Sequence, residues 1–225
     1  MFDFDTDRTS GPTPPSRGVS RRLIWALPLG LGLGFIAPRA RAQVDPDRAS
    51  NFIRTTGEKL VAAINAQAPV ADRRLRVAGV LREAVDLEGV GRFILGRWWR
   101  IATAEEKQDY QKLFEETLIR NLSARFGEYQ GVQFTLGRVQ ARAEDDVLVS
   151  TIIERPGSAP FGLDWRVGEV DGQPRIVDVI AEGTSLRLTQ RSEYSSVISR
   201  NGGKVAALLD AMRGQISSLA AREGS

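Results

Sequence analysis

The 225-residue chain contains no cysteine and no histidine. Without cysteine it can have no disulfide, no thiolate nucleophile and no cysteine-ligated zinc. Without histidine, imidazole acid/base catalysis, histidine triads and histidine-ligated metals are excluded. Any bond chemistry would fall to carboxylates, lysine, tyrosine, serine or threonine. Net charge is also scarce. The formal +3 comes from residues 1–42, which hold six arginines and three aspartates. Removing these from the 31 basic and 28 acidic residues leaves 25 of each. A neutral body argues against a nucleic-acid partner, although local basic patches can persist.

The chain is long enough for one domain with a sizeable core, and 42% of its residues are hydrophobic. Residues 1–20 are polar and rich in proline and glycine, a disordered composition. Arg21-Arg22 then precede the apolar run Leu23–Ala37, and Ala40-Arg41-Ala42 follows as a small-residue cleavage pattern before Gln43. This is the order of a secretory signal peptide. The run has 15 residues and is interrupted by Pro28, Gly30, Gly32 and Gly34. A spanning helix needs roughly 20. No cysteine follows the run, so a lipoprotein is excluded. Ser20-Arg21-Arg22 fits a twin-arginine signal, with Ile24 where phenylalanine is usual, and general secretion stays equally open. The expectation is a disordered leader and signal peptide over 1–42, and one exported domain, periplasmic and monomeric, over 43–225.

Apolar spacing predicts helices over 47–67, 70–84 and a short third ending at Gly96, capped by Asp86. Thr103-Ala104-Glu105-Glu106 is a capping box that opens a helix over 104–126. Its stripe is Tyr110, Leu113, Phe114, Thr117, Leu118, Asn121, Leu122 and Phe126. The period then becomes two. Strands are expected around Val132–Leu136, Val147–Ile153, Phe161–Val167 and 174–182, with connections at Glu144-Asp145-Asp146, Pro156–Pro160 and Asp171-Gly172. Helices over 187–200 and 203–220 close the chain. The fold class is therefore α+β: an antiparallel four-stranded meander packed against a mainly N-terminal helical layer and two C-terminal helices, with an apolar cavity between the layers.

Each candidate site has a plain structural alternative. Asp178 and Glu182 lie four apart on one strand and can share a face for acid/base chemistry, or they face solvent or bond loop amides near Gly183. Asp164, Tyr110 and Tyr194 can form the Asp-base and Tyr-donor pocket of an isomerase-like exported enzyme, which would need a pocket carboxylate with a strongly raised pKa. Trp98-Trp99 between Arg97 and Arg100 is an interfacial element or a packed turn. The apolar stripes are a filled core, as in an interaction module without ligand, or the walls of a cavity; periodicity does not separate the two. For a cavity, the period-matched inward positions are Phe134, Val149, Ile153 and Trp165 on the strands. On the helices they are Val90, Ile94, Phe114, Leu118, Tyr194 and Val197.

Two motif blocks carry a resemblance. Phe93-Ile94-Leu95-Gly96-Arg97-Trp98-Trp99-Arg100-Ile101-Ala102-Thr103, with Phe114 and the Tyr129 region, resembles the periplasmic phospholipid-binding family of the Mla pathway, also called the toluene-tolerance family. Asp178-Val179-Ile180-Ala181-Glu182-Gly183-Thr184-Ser185 resembles its second motif, with Thr184 where valine or isoleucine is usual. Gln190–Tyr194 and Asn201–Leu209 resemble its last segments. The resemblance spans about 47–215; a hopanoid-associated branch is the nearest alternative. It implies a non-enzymatic carrier that holds phospholipid acyl chains between a curved sheet and helices. It further implies exchange with an inner-membrane ABC transporter bearing an MCE-domain ring, and contact with an outer-membrane lipoprotein–porin complex. No metal or cofactor is expected.

Overall fold

The structure, a computed structural model, describes residues 44–127, 131–142 and 146–223. The leader over 1–42, Glu128-Tyr129 and most of the expected Glu144–Asp146 turn lie outside the described residues. Four helices come first: α1 (Pro46–Ile64), α2 (Val70–Ala84), α3 (Leu87–Leu95) and α4 (Ala104–Gly127), with a 3-10 turn over Gly96–Arg100. Five strands follow: β1 (Gln133–Ala141), β2 (Asp146–Arg155), β3 (Ser158–Val170), β4 (Gln173–Ala181) and β5 (Thr184–Ser185). Helices α5 (Leu186–Arg200) and α6 (Val205–Glu223) end the described chain.

Helix starts are set by side chains that satisfy orphan amides. Asp45 accepts from the amides of Asp47 and Arg48, both at 3.0 Å, ahead of Pro46 at the first helical position. Asp86 accepts from Gly89 at 2.9 Å. The capping box closes reciprocally, Glu106 N–H to Thr103 Oγ1 at 3.1 Å and Thr103 N–H to Glu106 Oε2 at 2.9 Å.

The sheet is antiparallel throughout, in the order β1-β2-β3-β4-β5. The fifth strand corrects the expected four. It exists because Glu182 (φ 52°) and Gly183 (φ 78°) both adopt the left-handed region and close a two-residue hairpin that pairs Ala181 with Thr184. Asp171 (φ 50°) and Gly172 (φ 74°) do the same between β3 and β4. The β2–β3 connection is shorter than expected. Only Pro156-Gly157 turns, and Ser158-Ala159-Pro160 extend β3 beside an irregularity in its pairing with β2. The pairing of β4 with β3 ends at Leu163, so Pro160 is not asked for a ladder bond on that side.

Three apolar clusters hold these layers. One is helical and joins α3, α4, α5 and α6 around Tyr110, Ile198, Leu208 and Met212, each at most 1% exposed. A second places Ala49 and Ile53 of α1 against Val147, Val149, Val167 and Ile176 of the sheet. The third joins α1, α2 and α4 through Leu60, Val77, Leu81 and Ile119. Ile119 lies off the expected α4 stripe yet is buried, because α4 packs against α2 on one side and α6 on the other.

Candidate functional site

Residues paired directly across antiparallel strands point to the same face, so the register sorts the sheet. The inner face carries Phe134, Leu136, Val147, Val149, Thr151, Ile153, Phe161, Leu163, Trp165, Val167, Ile176 and Val179 in four rows. Burial changes along it. The row of Val147, Val167 and Ile176 is sealed under α1. In the next, Val149 is fully buried but Trp165 and Val179 are half-buried. Beyond it, Leu136 and Leu163 are half-buried around a buried Thr151, and the last row, Phe134, Ile153 and Phe161, is half-buried throughout. One polar link crosses the open part: Trp165 Nε1–H donates to Thr151 Oγ1 at 2.8 Å, and the threonine hydroxyl donates to the Leu163 carbonyl at 3.2 Å. The far edge of the Phe134 ring meets α1 at Gly57, where a Cβ would stand 2.5 Å from it. Gly57 is therefore needed for the close approach of helix and strand.

The ten inward residues chosen from periodicity divide between two places. Val90, Ile94, Phe114 and Tyr194 are buried in the helical cluster, and Leu118 and Val197 pack against it. Val149 and Trp165 belong to the α1–sheet cluster, Ile153 packs on the third, and Phe134 faces α1. The structure thus brings the helical six together in one core and sets the strand four on the inner face. None of the ten lines either of two grooves on the molecule. The first, about 470 Å³, runs between α1, α2 and the start of β4, with Phe52, Val80 and Ala84 in it and Arg48, Lys59 and Arg175 around them. The second, about 440 Å³, lies along α5.

The proposed acid/base residues do not form a reactive set. Asp178 is buried and accepts from the Val179 amide (2.8 Å), the Ser185 hydroxyl (2.6 Å) and the Arg187 amide (3.2 Å), with Arg187 Nε 3.3 Å away. The bonds to Ser185 and Arg187 tie β4 to β5 and the start of α5. Glu182 sits exposed in the hairpin turn. The reading in which these groups bond amides near Gly183 is therefore the one observed for Asp178. Tyr110 and Tyr194 do meet, edge to face with centroids 6.3 Å apart. Asp164, however, stands on the outer face of β3 and accepts from Ser150 Oγ at 2.5 Å. Tyr110 gives its hydroxyl to the Gly91 carbonyl at 2.9 Å. Burial pushes both phenols up, Tyr194 to about 12 with a smaller contribution from Glu193, and Tyr110 further. Both are neutral structural groups at physiological pH.

Trp98 and Trp99 form a packed turn. Both are half-buried against the helical cluster, and Trp98 Nε1 donates to Ser195 Oγ at 3.2 Å. Arg97 covers the Trp98 ring at 4.5 Å. Among the described residues no group of three or more carboxylates is placed to hold a metal, and no helix is long and apolar enough to cross a membrane.

Residues 54–214 match the family model described as MlaC protein. The chain is 23% identical over 141 residues to the toluene tolerance protein ttg2D of Pseudomonas putida, covering 61% of this chain and 65% of that protein. It is 21% identical over 122 residues to MlaC of Haemophilus influenzae, the binding protein of an intermembrane phospholipid transport system, covering 52% and 57%. The chain thus spans less than two thirds of either curated relative. The fold matches that of a phospholipid-binding protein from Ralstonia solanacearum solved with a phospholipid, with a TM-score of 0.68 at 24% identity, over 76% of this chain and 98% of that one.

Proposed function

Because the chain belongs to the MlaC family, we propose that it is a periplasmic phospholipid carrier, which binds acyl chains along the inner face of its sheet and releases them unchanged. The observation that carries this reading is the gradient of burial along that face. Apolar side chains from Phe134 to Trp165 point towards the helices and yet stay half-uncovered. Burial is worth about 0.8 kcal/mol per CH₂, so a chain of about 16 carbons costs about 12 kcal/mol to bring into water. Spontaneous transfer is then very slow. Apolar walls remove that barrier with no bond chemistry, and their contacts are non-directional, so they read chain length weakly.

The proposed lining is Phe134, Ile153 and Trp165, with Leu136 and Leu163 between them. Val149 forms the sealed end, and the helical set Val90, Ile94, Phe114, Leu118, Tyr194 and Val197 stiffens the body that roofs it. The rest of the reading is a mature single domain from about Gln43 after signal cleavage, monomeric, which exchanges lipid with an inner-membrane MCE-domain ABC transporter and meets an outer-membrane lipoprotein–porin complex. It serves outer-membrane lipid asymmetry. An acid/base enzyme has no comparable support, since Asp178 and Asp164 are engaged in structural bonds.

The test is mass spectrometry of solvent extracts from the purified periplasmic protein. About one phospholipid per protein is expected. A protein that copurifies with no lipid under native conditions, or with a hopanoid in its place, overturns the phospholipid assignment.

A further inference from the structure

The second groove has a chemistry that the lipid reading does not use. It is lined by Leu188, Arg191, Ser192, Ser195, Ser196 and Ser199, on successive turns of α5. Two of its hydroxyls are held from behind. Ser195 Oγ accepts from Trp98 Nε1 at 3.2 Å, and Ser196 Oγ accepts from Arg200 Nε at 3.0 Å and Nη2 at 2.6 Å. A serine that accepts still has its own proton to donate. Arg97 reaches the same face, with Nη2 3.5 Å from Ser199 Oγ.

Arg191 is held in place on the same helix. Its guanidinium lies over the Phe93 ring at 4.9 Å and across Gly96, where a Cβ would stand 3.0 Å from it. Gly96 has φ +57°, so glycine serves both the turn and this approach. Two motif segments 95 residues apart in the chain, Gly96-Arg97-Trp98 and Arg191–Ser195, thus build one surface.

Its charge is uncompensated. Elsewhere, Arg48, Arg82, Arg92 and Arg213 are paired with carboxylates at 2.8–3.1 Å. Among the described residues Arg97, Arg191 and Arg200 have no carboxylate partner; serine hydroxyls and aromatic faces take their place. Arg54, Arg76, Arg100, Arg138 and Arg175 also have no carboxylate partner, but they stand on five different elements, α1, α2, the 3-10 turn, β1 and β4.

We propose that this α5 groove is a phosphate-binding site, with Arg191 and Arg97 as charged forks and Ser192, Ser195 and Ser196 as hydroxyl donors. Several donors on two helical turns match a tetrahedral anion, and guanidinium geometry gives two parallel bonds where an ammonium gives one. A free phosphate and the phosphodiester of a lipid headgroup offer the same oxygens. The site stands or falls apart from the acyl-chain reading, because it uses none of the inner-face residues.

The experiment titrates the purified protein with inorganic phosphate at constant ionic strength, read by amide shifts at Ser192, Ser195 and Ser196. In parallel it is sedimented with phosphatidylglycerol and with phosphatidylcholine vesicles. Saturable shifts identify free phosphate as a ligand; retention on phosphatidylglycerol vesicles without saturable shifts identifies the headgroup. Arg191→Lys, which keeps the charge, is expected to weaken the positive arm about tenfold. Ser192→Glu, at an exposed position that leaves packing alone, should abolish it, and Arg82→Gln on another face should leave it unchanged. Failure of both arms overturns the site. So does an Arg191→Lys variant that binds as well as the parent, since diffuse charge would then suffice.

Discussion

The helical cluster and the inner face of the sheet are built from the same apolar residue types, but one is closed and the other is not. In the first, Tyr110, Ile198, Leu208 and Met212 are at most 1% exposed, and the one polar atom among them, the Tyr110 hydroxyl, has its partner. In the second, covering is complete at Val147 and Val167 and gives out towards Phe134 and Phe161. The helical half is packed as protein interiors are, with nothing left over. The sheet half leaves apolar surface that the chain itself does not cover. A carrier needs both properties, because a slot holds its width only if the body around it is stiff.

The largest expected effect separates the halves by truncation. Ile198→Ala removes a fully buried side chain and should cost about 2–5 kcal/mol in chemical denaturation, while Leu163→Ala on the open face should cost about 1 kcal/mol. Equal costs would mean that the inner face is as closed as the helical core. Next comes overfilling. Val149→Trp enters a site with 0% exposure and should destabilise by about 1–3 kcal/mol or more. Leu163→Trp should leave the melting curve nearly unchanged and lower bound lipid per mole. The reverse pattern would move the ligand to the sealed end.

A smaller effect concerns pH. The folded-state pKa of Tyr194 is raised to about 12, chiefly by burial, from an ordinary value of 10.0. A raised value means the fold favours the neutral phenol. This contribution is fully present below about pH 10 and is lost as pH rises through about 12. The denaturation midpoint should be flat to pH 10 and fall above it, less steeply in Tyr194→Phe. The smallest is Glu182→Gln. Exposed in its turn, it should shift stability by no more than about 0.5 kcal/mol and leave lipid content unchanged.

Much of the fold was legible where local chemistry decides it. The capping box at Thr103–Glu106, the Asp86 cap and the Asp171-Gly172 hairpin are contained in a few consecutive residues, and each stands where spacing puts it. Glu182-Gly183 carries no recognisable turn signal, because glutamate is an unusual left-handed residue and the strand beyond it has only two residues. The candidate site was legible in part. Period two put Phe134, Ile153 and Trp165 on one face, but period 3.6 could not tell which helical stripe meets the sheet and which meets other helices. Ile94 and Phe114 turned to the helical core for that reason. Contacts between distant segments, such as Phe134 on Gly57 or Arg191 on Gly96, leave no local signal.

Every strand pairing joins neighbours in sequence, whereas the helical cluster must bring α3 and α4 to α5 and α6 across the whole sheet. Short loops close at little entropic cost and long ones late. The expected folding order is therefore the β2–β3 hairpin first and α5–α6 docking last. Pulse-labelled hydrogen exchange should show β2 and β3 amides protected before those of α6, and simultaneous protection would refute the order. It follows that during synthesis there is an interval when the sheet has formed and the apolar faces of α3 and α4 still wait for α5 and α6. In that interval the nascent chain is most exposed to aggregation and to capture by chaperones.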